Sequence, residues 1–131
     1  MELPSLLSIT PIYVAVLGLV FIVFTVRVGI YRVKTKINIG TGDDPEMIRR
    51  TRGQANFIET VPMALFLLIM MEILGASDTW LHVLGMVLVV ARISHYIGLT
   101  ELGPIVFRAS GMLGTMGTIL VSSVWILIDV I

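Results

Sequence analysis

The sequence predicts an all-α membrane protein built as a bundle of four transmembrane helices. The chain has 131 residues, of which 56% are hydrophobic and 14% charged, and its mean hydropathy is +0.99. A soluble domain of this size is far less apolar. All nine Lys and Arg residues fall in segments 27–52 or 92–108, which leaves long stretches without a cation. We expect a single domain over residues 1–131.

The first span is predicted at about residues 9–26. Ile9 to Val26 form an uncharged run, close to the length that one helix needs to cross the hydrocarbon, and Pro11 suits an opening helical turn. A signal peptide is the alternative, but basic residues follow this run rather than precede it, and no small-x-small cleavage site ends it. We therefore interpret it as a span.

The second helix follows a glycine-containing loop at residues 38–45. Asp44, which precedes a proline, suits the start of this helix, and its membrane-spanning part is predicted at about residues 57–74. Gly75 is expected to end it. Glu72, near this end, is interpreted as a solvated side chain.

The third and fourth spans are predicted at about residues 81–98 and 111–130. Because the connection before the third is short, the second and third helices are expected to pack as an antiparallel hairpin. Gly111, Gly114 and Gly117 recur every three residues on the fourth helix. Either they form a small-residue ridge that allows close helix packing, or they reflect only the abundance of glycine in membrane helices.

The basic residues predict an orientation. By the positive-inside rule, both basic segments should face the cytoplasm and both termini the opposite side, which only an even number of spans permits. Basic residues such as Arg27 and Arg32 are interpreted as topology determinants or contacts with membrane lipid headgroups. Since no targeting or retention signal is recognisable, a bacterial inner membrane is the expected location, with an organelle membrane as the alternative.

Composition also excludes several kinds of function. The chain has no cysteine, which excludes disulfides, thiolate metal sites and a cysteine nucleophile. The formal net charge is zero, so no nucleic-acid partner is expected. The methionines lack the convergent spacing of a copper site, and no metal is expected. Any thiol chemistry must use a sulfur from a bound molecule.

A stripe of polar residues lies on the second helix. Arg52, Asn56 and Glu59 stand at spacings of four and three, which places them within about 60° of one another around a helix. Arg49 extends the stripe by one turn. Because an unpaired ionisable group costs several kcal/mol in hydrocarbon, the stripe must face protein, water or a ligand. It is a candidate binding site, with an ion pair that fastens helices together as the structural alternative.

A second polar cluster is expected at the same end of the bundle. Arg92, His95 and Tyr96 end the third helix, and Arg108 comes just before the fourth. Several guanidinium groups with one amide and one carboxylate suit a small zwitterionic ligand with more than one carboxylate, since arginine binds carboxylates bidentately. Glutathione fits that description. His95 could equally line such a site or brace a helix end.

The segment from Arg52 to Pro62 matches the pattern Arg-x-x-x-Asn-x-x-Glu-x-x-Pro without a gap. This resembles the signature of the membrane-associated proteins in eicosanoid and glutathione metabolism, the MAPEG family. The stretch that begins at Arg92, with Arg108 sixteen residues later, resembles the region that supplies the thiol-activating arginine in prostaglandin E synthases and microsomal glutathione transferases. Length, spans and loop sizes agree, so the resemblance covers nearly the whole chain.

The resemblance implies a membrane glutathione transferase, with peroxidase activity as a further reaction. It implies a homotrimer that binds glutathione as co-substrate in a polar cleft between subunits, and a lipophilic substrate that enters from the bilayer. Arg108 would stabilise the thiolate, which is the nucleophile, since a thiol with a pKa of about 8.5 is mostly protonated at neutral pH. The residues expected to bind or surround glutathione are Arg49, Arg52, Asn56, Glu59, Arg92, His95 and Tyr96.

Two positions depart from the pattern of relatives. Leu99 stands where eicosanoid-synthesising members often carry a tyrosine, and Ala109 stands where some carry a serine; Ser110 points elsewhere on a helix. These departures leave open a catalytically silent member that acts as a membrane partner or regulator. A small proton-coupled exporter is the third hypothesis, although a guanidinium beside Glu59 would hold that carboxylate ionised.

Overall fold

The computed structural model describes residues 6–131, so the first five residues of the predicted domain lie outside the description. Four α-helices fill the described part, and it contains no strand. They are α1 (Thr10–Thr35), α2 (Pro45–Ile73), α3 (Asp78–Leu99) and α4 (Val106–Val130). Each is long and apolar enough to cross a membrane. The predicted all-helical fold with four spans is confirmed.

The helices extend beyond the predicted spans at the basic end. α1 continues past Val26 to Thr35 and ends where Lys36 adopts a left-handed backbone with φ of 60°. α4 begins at Val106 rather than residue 111, so Arg108 lies in its first turns and not before it. Hydropathy reports where lipid contact ends, whereas the hydrogen bonds of a helix continue into water. The predicted spans are therefore shorter than the helices.

Both ends of α2 follow the predicted signals. The Asp44 carboxylate accepts a hydrogen bond from the Met47 backbone nitrogen at 2.9 Å, and this bond holds the pKa of Asp44 below its usual range. Gly75 has a φ of 87°, and the Ala76 nitrogen donates to the Met71 carbonyl at 2.9 Å. Together these form a glycine-terminated helix end.

α3 and α4 approach so closely that side chains are excluded at two points. A Cβ atom on Gly111 would lie 2.5 Å from the backbone nitrogen of His95, and one on Gly114 would lie 2.9 Å from the Ala91 Cβ. Gly117, in contrast, has no atom of the described residues within 4 Å of such a position, apart from its chain neighbours and its own helix backbone. Two of the three glycines therefore form the packing ridge, and the third does not.

Glu72 caps the beginning of α1, and the prediction that it is solvated is wrong. Its carboxylate accepts hydrogen bonds from the backbone nitrogens of Ser8 at 2.6 Å, Ile9 at 2.7 Å and Thr10 at 2.7 Å. The Thr10 hydroxyl donates to it as well. The three backbone N–H groups belong to the start of a helix, where such groups have no partner within the helix. A negative charge is favoured at this end of a helix.

Replacement of Glu72 by glutamine is expected to lower the stability of the detergent-purified protein by about 2 kcal/mol, because hydrogen bonds to a charged group are lost. The measurement is the midpoint of thermal unfolding. Asp129→Asn is the matched control, since Asp129 is an exposed carboxylate near the end of α4. An equal decrease in both variants, or none in Glu72→Gln, would contradict the capping role.

Candidate functional site

A cavity of about 500 Å³ opens at the basic end of the bundle between α2, α3 and α4. Five polar residues line it: Arg49, Arg52, Asn56, His95 and Arg108. The apolar part of its wall consists of Ile48, Leu99, Ile105, Ala109 and Met112. The cavity thus joins the polar stripe of α2 to the end of α3 and the start of α4, as the topology predicts.

The cavity carries an excess of positive charge. Arg52 pairs with Glu59 at 3.4 Å, and Arg49 pairs with two glutamates, each at 3.6 Å. These pairs are partly exposed, so each contributes little to stability. No carboxylate of residues 6–131 lies within 4.0 Å of the Arg108 guanidinium. Arg108 is therefore available to a ligand that carries negative charge.

Glu59 does not line this cavity. Its side chain is 52% exposed and that of Arg52 is 55% exposed, although both belong to a helix that is able to span a membrane. The Arg52–Glu59 pair therefore lies on the surface of the protomer.

Arg92 lies behind the cavity wall. It is 2% exposed, and its Nη1 donates to Asn56 Oδ1 at 2.7 Å and to Thr60 Oγ1 at 3.1 Å. Its Nη2 donates to the Gly111 carbonyl at 3.3 Å. Arg92 was predicted to surround the ligand, whereas the structure uses it to join α2, α3 and α4 beneath the site.

Tyr96 was predicted to be a ligand-binding residue, but it lies outside the cavity. Its ring stacks on Phe24 of α1, with centroids 3.6 Å apart, and its hydroxyl accepts a hydrogen bond from Arg27 Nε at 3.0 Å. It also covers Gly53 of α2, where a Cβ atom would lie 2.6 Å from the ring. Because neighbouring helix positions differ by about 100°, Tyr96 faces α1 and α2 while His95 lines the cavity.

His95 both lines the cavity and holds α4. It is 3% exposed, and its Nδ1 lies 3.0 Å from the backbone carbonyl oxygen of Arg108. A carbonyl oxygen can only accept a hydrogen bond, so Nδ1 carries the proton. This bond fixes the start of α4, and with it Arg108, against the end of α3.

The two positions that depart from relatives, Leu99 and Ala109, do line the cavity. Ser110 points away from it, with its hydroxyl 3.3 Å from that of Ser94, and it supplies no hydroxyl to the site. Sequence reasoning missed the other apolar lining residues, Ile48, Ile105 and Met112. Ile48 and Met112 each stand four positions from a lining arginine, and helical spacing from that arginine could have identified them.

Comparison with known proteins settles the family. The model of the MAPEG family matches residues 10–128. The chain belongs to the MAPEG family. This MAPEG chain is similar to the inner membrane protein YecN of Escherichia coli strain K12, with 29% identity over 90 residues that cover 69% of each chain. YecN of E. coli strain O6:H1 matches to the same extent. With its four long apolar helices, this MAPEG chain is an integral membrane protein.

Proposed function

We propose that this protein is a membrane glutathione transferase that holds glutathione in the cavity as its thiolate and conjugates it to lipophilic electrophiles. The observation that carries the proposal is that Arg52 of α2 and Arg108 of α4 line one cavity. Arg49 and Arg52 are suited to bind carboxylates of the peptide. Arg108, which has no carboxylate within 4.0 Å among residues 6–131, is suited to stabilise the sulfur anion.

The chemistry needs no protein nucleophile and no metal. The thiol proton passes to water, the sulfur electron pair forms a bond to the electrophilic carbon, and the leaving group departs with its own pair. Arg108 acts as an electrostatic stabiliser and not as a base, because a guanidinium stays protonated. Holding both reactants together supplies the rest of the acceleration. Reduction of lipid hydroperoxides, with a second glutathione completing the disulfide, belongs to the same proposal.

We further propose that the protein assembles as a homotrimer in a bacterial inner membrane. The half-exposed Arg52 and Glu59 side chains support assembly, since a neighbouring copy would cover this charged pair. The name of the E. coli relative supports the inner membrane. In such an assembly the cavity, open on the surface of one protomer, would be closed by the next.

The experiment is an ultraviolet difference titration of the detergent-purified protein with glutathione near neutral pH, followed by conjugation assays with chlorodinitrobenzene. We expect saturable thiolate absorbance and turnover. Saturable binding without thiolate would favour a catalytically silent partner or regulator, which the apolar Leu99 and Ala109 in the cavity wall support. No binding, together with proton-driven efflux of a dye from vesicles, would favour an exporter.

A further inference from the structure

The orientation of the Asn56 amide is fixed by its neighbour. Asn56 lines the cavity, and its Oδ1 lies 2.7 Å from Nη1 of Arg92. The oxygen and nitrogen of an amide are usually difficult to distinguish, but a guanidinium can only donate hydrogen bonds. The atom that faces Arg92 must therefore be the oxygen, and the NH₂ group occupies the other branch of the amide.

Arg92 cannot easily move out of this position. It is 2% exposed, and two further acceptors from different helices, the Thr60 hydroxyl and the Gly111 carbonyl, hold its guanidinium. Among residues 6–131, no carboxylate lies within 4.0 Å of it. The neutral oxygen of Asn56 is thus one of its principal partners, and a rotation of the amide would replace that oxygen by a second donor.

We propose that Arg92 is a positioning residue that sets the hydrogen-bonding polarity of the cavity by occupying the Asn56 oxygen. Asn56 then offers only N–H groups to the ligand, so the place beside it accepts a carboxylate of glutathione and rejects an amine. This inference rests on the proposed function, and it assigns an orientation to glutathione. Its ammonium group lies away from the Asn56 amide.

The consequence is a difference between two substitutions that change little in size. In Asn56→Asp, the carboxylate still pairs with Arg92 but presents an acceptor to the ligand, which repels a carboxylate. In Arg92→Met, the amide is free to rotate and presents either group. Arg92→Lys keeps a buried cationic donor and should restore part of the original behaviour.

The experiment measures, by calorimetry, the affinity of wild type and variants for glutathione and for its two mono-amides, in which one carboxylate is neutralised. We expect Asn56→Asp to bind glutathione roughly a hundredfold more weakly and Arg92→Met roughly tenfold more weakly. In both, the preference for glutathione over one of the mono-amides should collapse, and Arg92→Lys should recover part of it.

A purely structural role of Arg92 would lower the affinities for all three ligands in the same proportion, and that result would overturn the inference. Unchanged glutathione binding by Asn56→Asp would overturn it as well, even if Arg92→Met failed to fold. If wild type itself did not bind glutathione, both the proposed function and this inference would fail. Failure confined to the variants would leave the proposed function in place.

Discussion

Substitution of Arg108 by alanine is expected to abolish the thiolate absorbance of bound glutathione while the peptide still binds. Arg49 and Arg52 remain in the cavity to hold carboxylates, but the sulfur loses its neighbouring cation. A thiol whose pKa returns to about 8.5 is roughly 3% ionised at pH 7. We expect conjugation at neutral pH to fall by roughly 10²–10³-fold, the loss typical of a removed transition-state donor, and to recover partly as the pH rises toward 8.5.

The control for this prediction is Arg50→Ala. Arg50 is at the same end of α2 but binds Glu46 and the Arg27 carbonyl outside the cavity, so its loss should leave the thiolate signal in place. Arg108→Lys should keep part of the thiolate signal, because lysine keeps the positive charge but not the planar geometry of the guanidinium group. Full thiolate absorbance in Arg108→Ala would refute the assigned role of this arginine.

Substitution of Gly111 by alanine is expected to destabilise the protein by about 1–3 kcal/mol and to weaken glutathione binding. The added methyl group would meet the backbone of α3, including the His95 nitrogen at 2.5 Å, and a backbone cannot rotate away as a side chain can. α4 would have to shift, taking with it Arg108 and the Gly111 carbonyl that holds Arg92.

Gly117→Ala provides a control, because this substitution is expected to increase the stability of the protein. Apart from its chain neighbours and its own helix backbone, no described atom lies within 4 Å of its added methyl group, and alanine is favoured over glycine in a helix by up to about 1 kcal/mol. Thermal unfolding in detergent measures the stability of both variants, and titration with glutathione measures their binding. Equal stabilisation by the two substitutions would show that the close approach of α3 and α4 does not limit stability.

Local signals in the sequence were sufficient to predict the helices and much of the candidate site. Uncharged runs located the spans, while Asp44 and Gly75 marked the ends of α2 because capping depends on a few adjacent residues. The expectation that Arg52 and Arg108 lie at the same end of the bundle followed from the positive-inside rule, which places both basic segments on one side of the membrane.

What could not be predicted depends on how each helix is rotated and on contacts between distant residues. Tyr96 and His95 are adjacent in sequence, yet which of them faces the cavity is decided by packing against Phe24 of α1. Glu72 looks solvated until α1 is placed beside the end of α2. Arg92 carries the same charge as the lining arginines, and only its depth behind Asn56 separates its role from theirs.

The lengths of α1 and α2 bear on how reactants would reach the cavity. With 26 and 29 residues, at 1.5 Å per residue, they measure about 39 Å and about 44 Å, whereas the hydrocarbon layer is about 30 Å thick. The part of this extra helix length that lies at the basic end raises the mouth of the cavity toward the aqueous phase. A hydrophilic peptide could thus enter from solution while an oily molecule arrives sideways through the leaflet, so neither has to dissolve in the medium of the other.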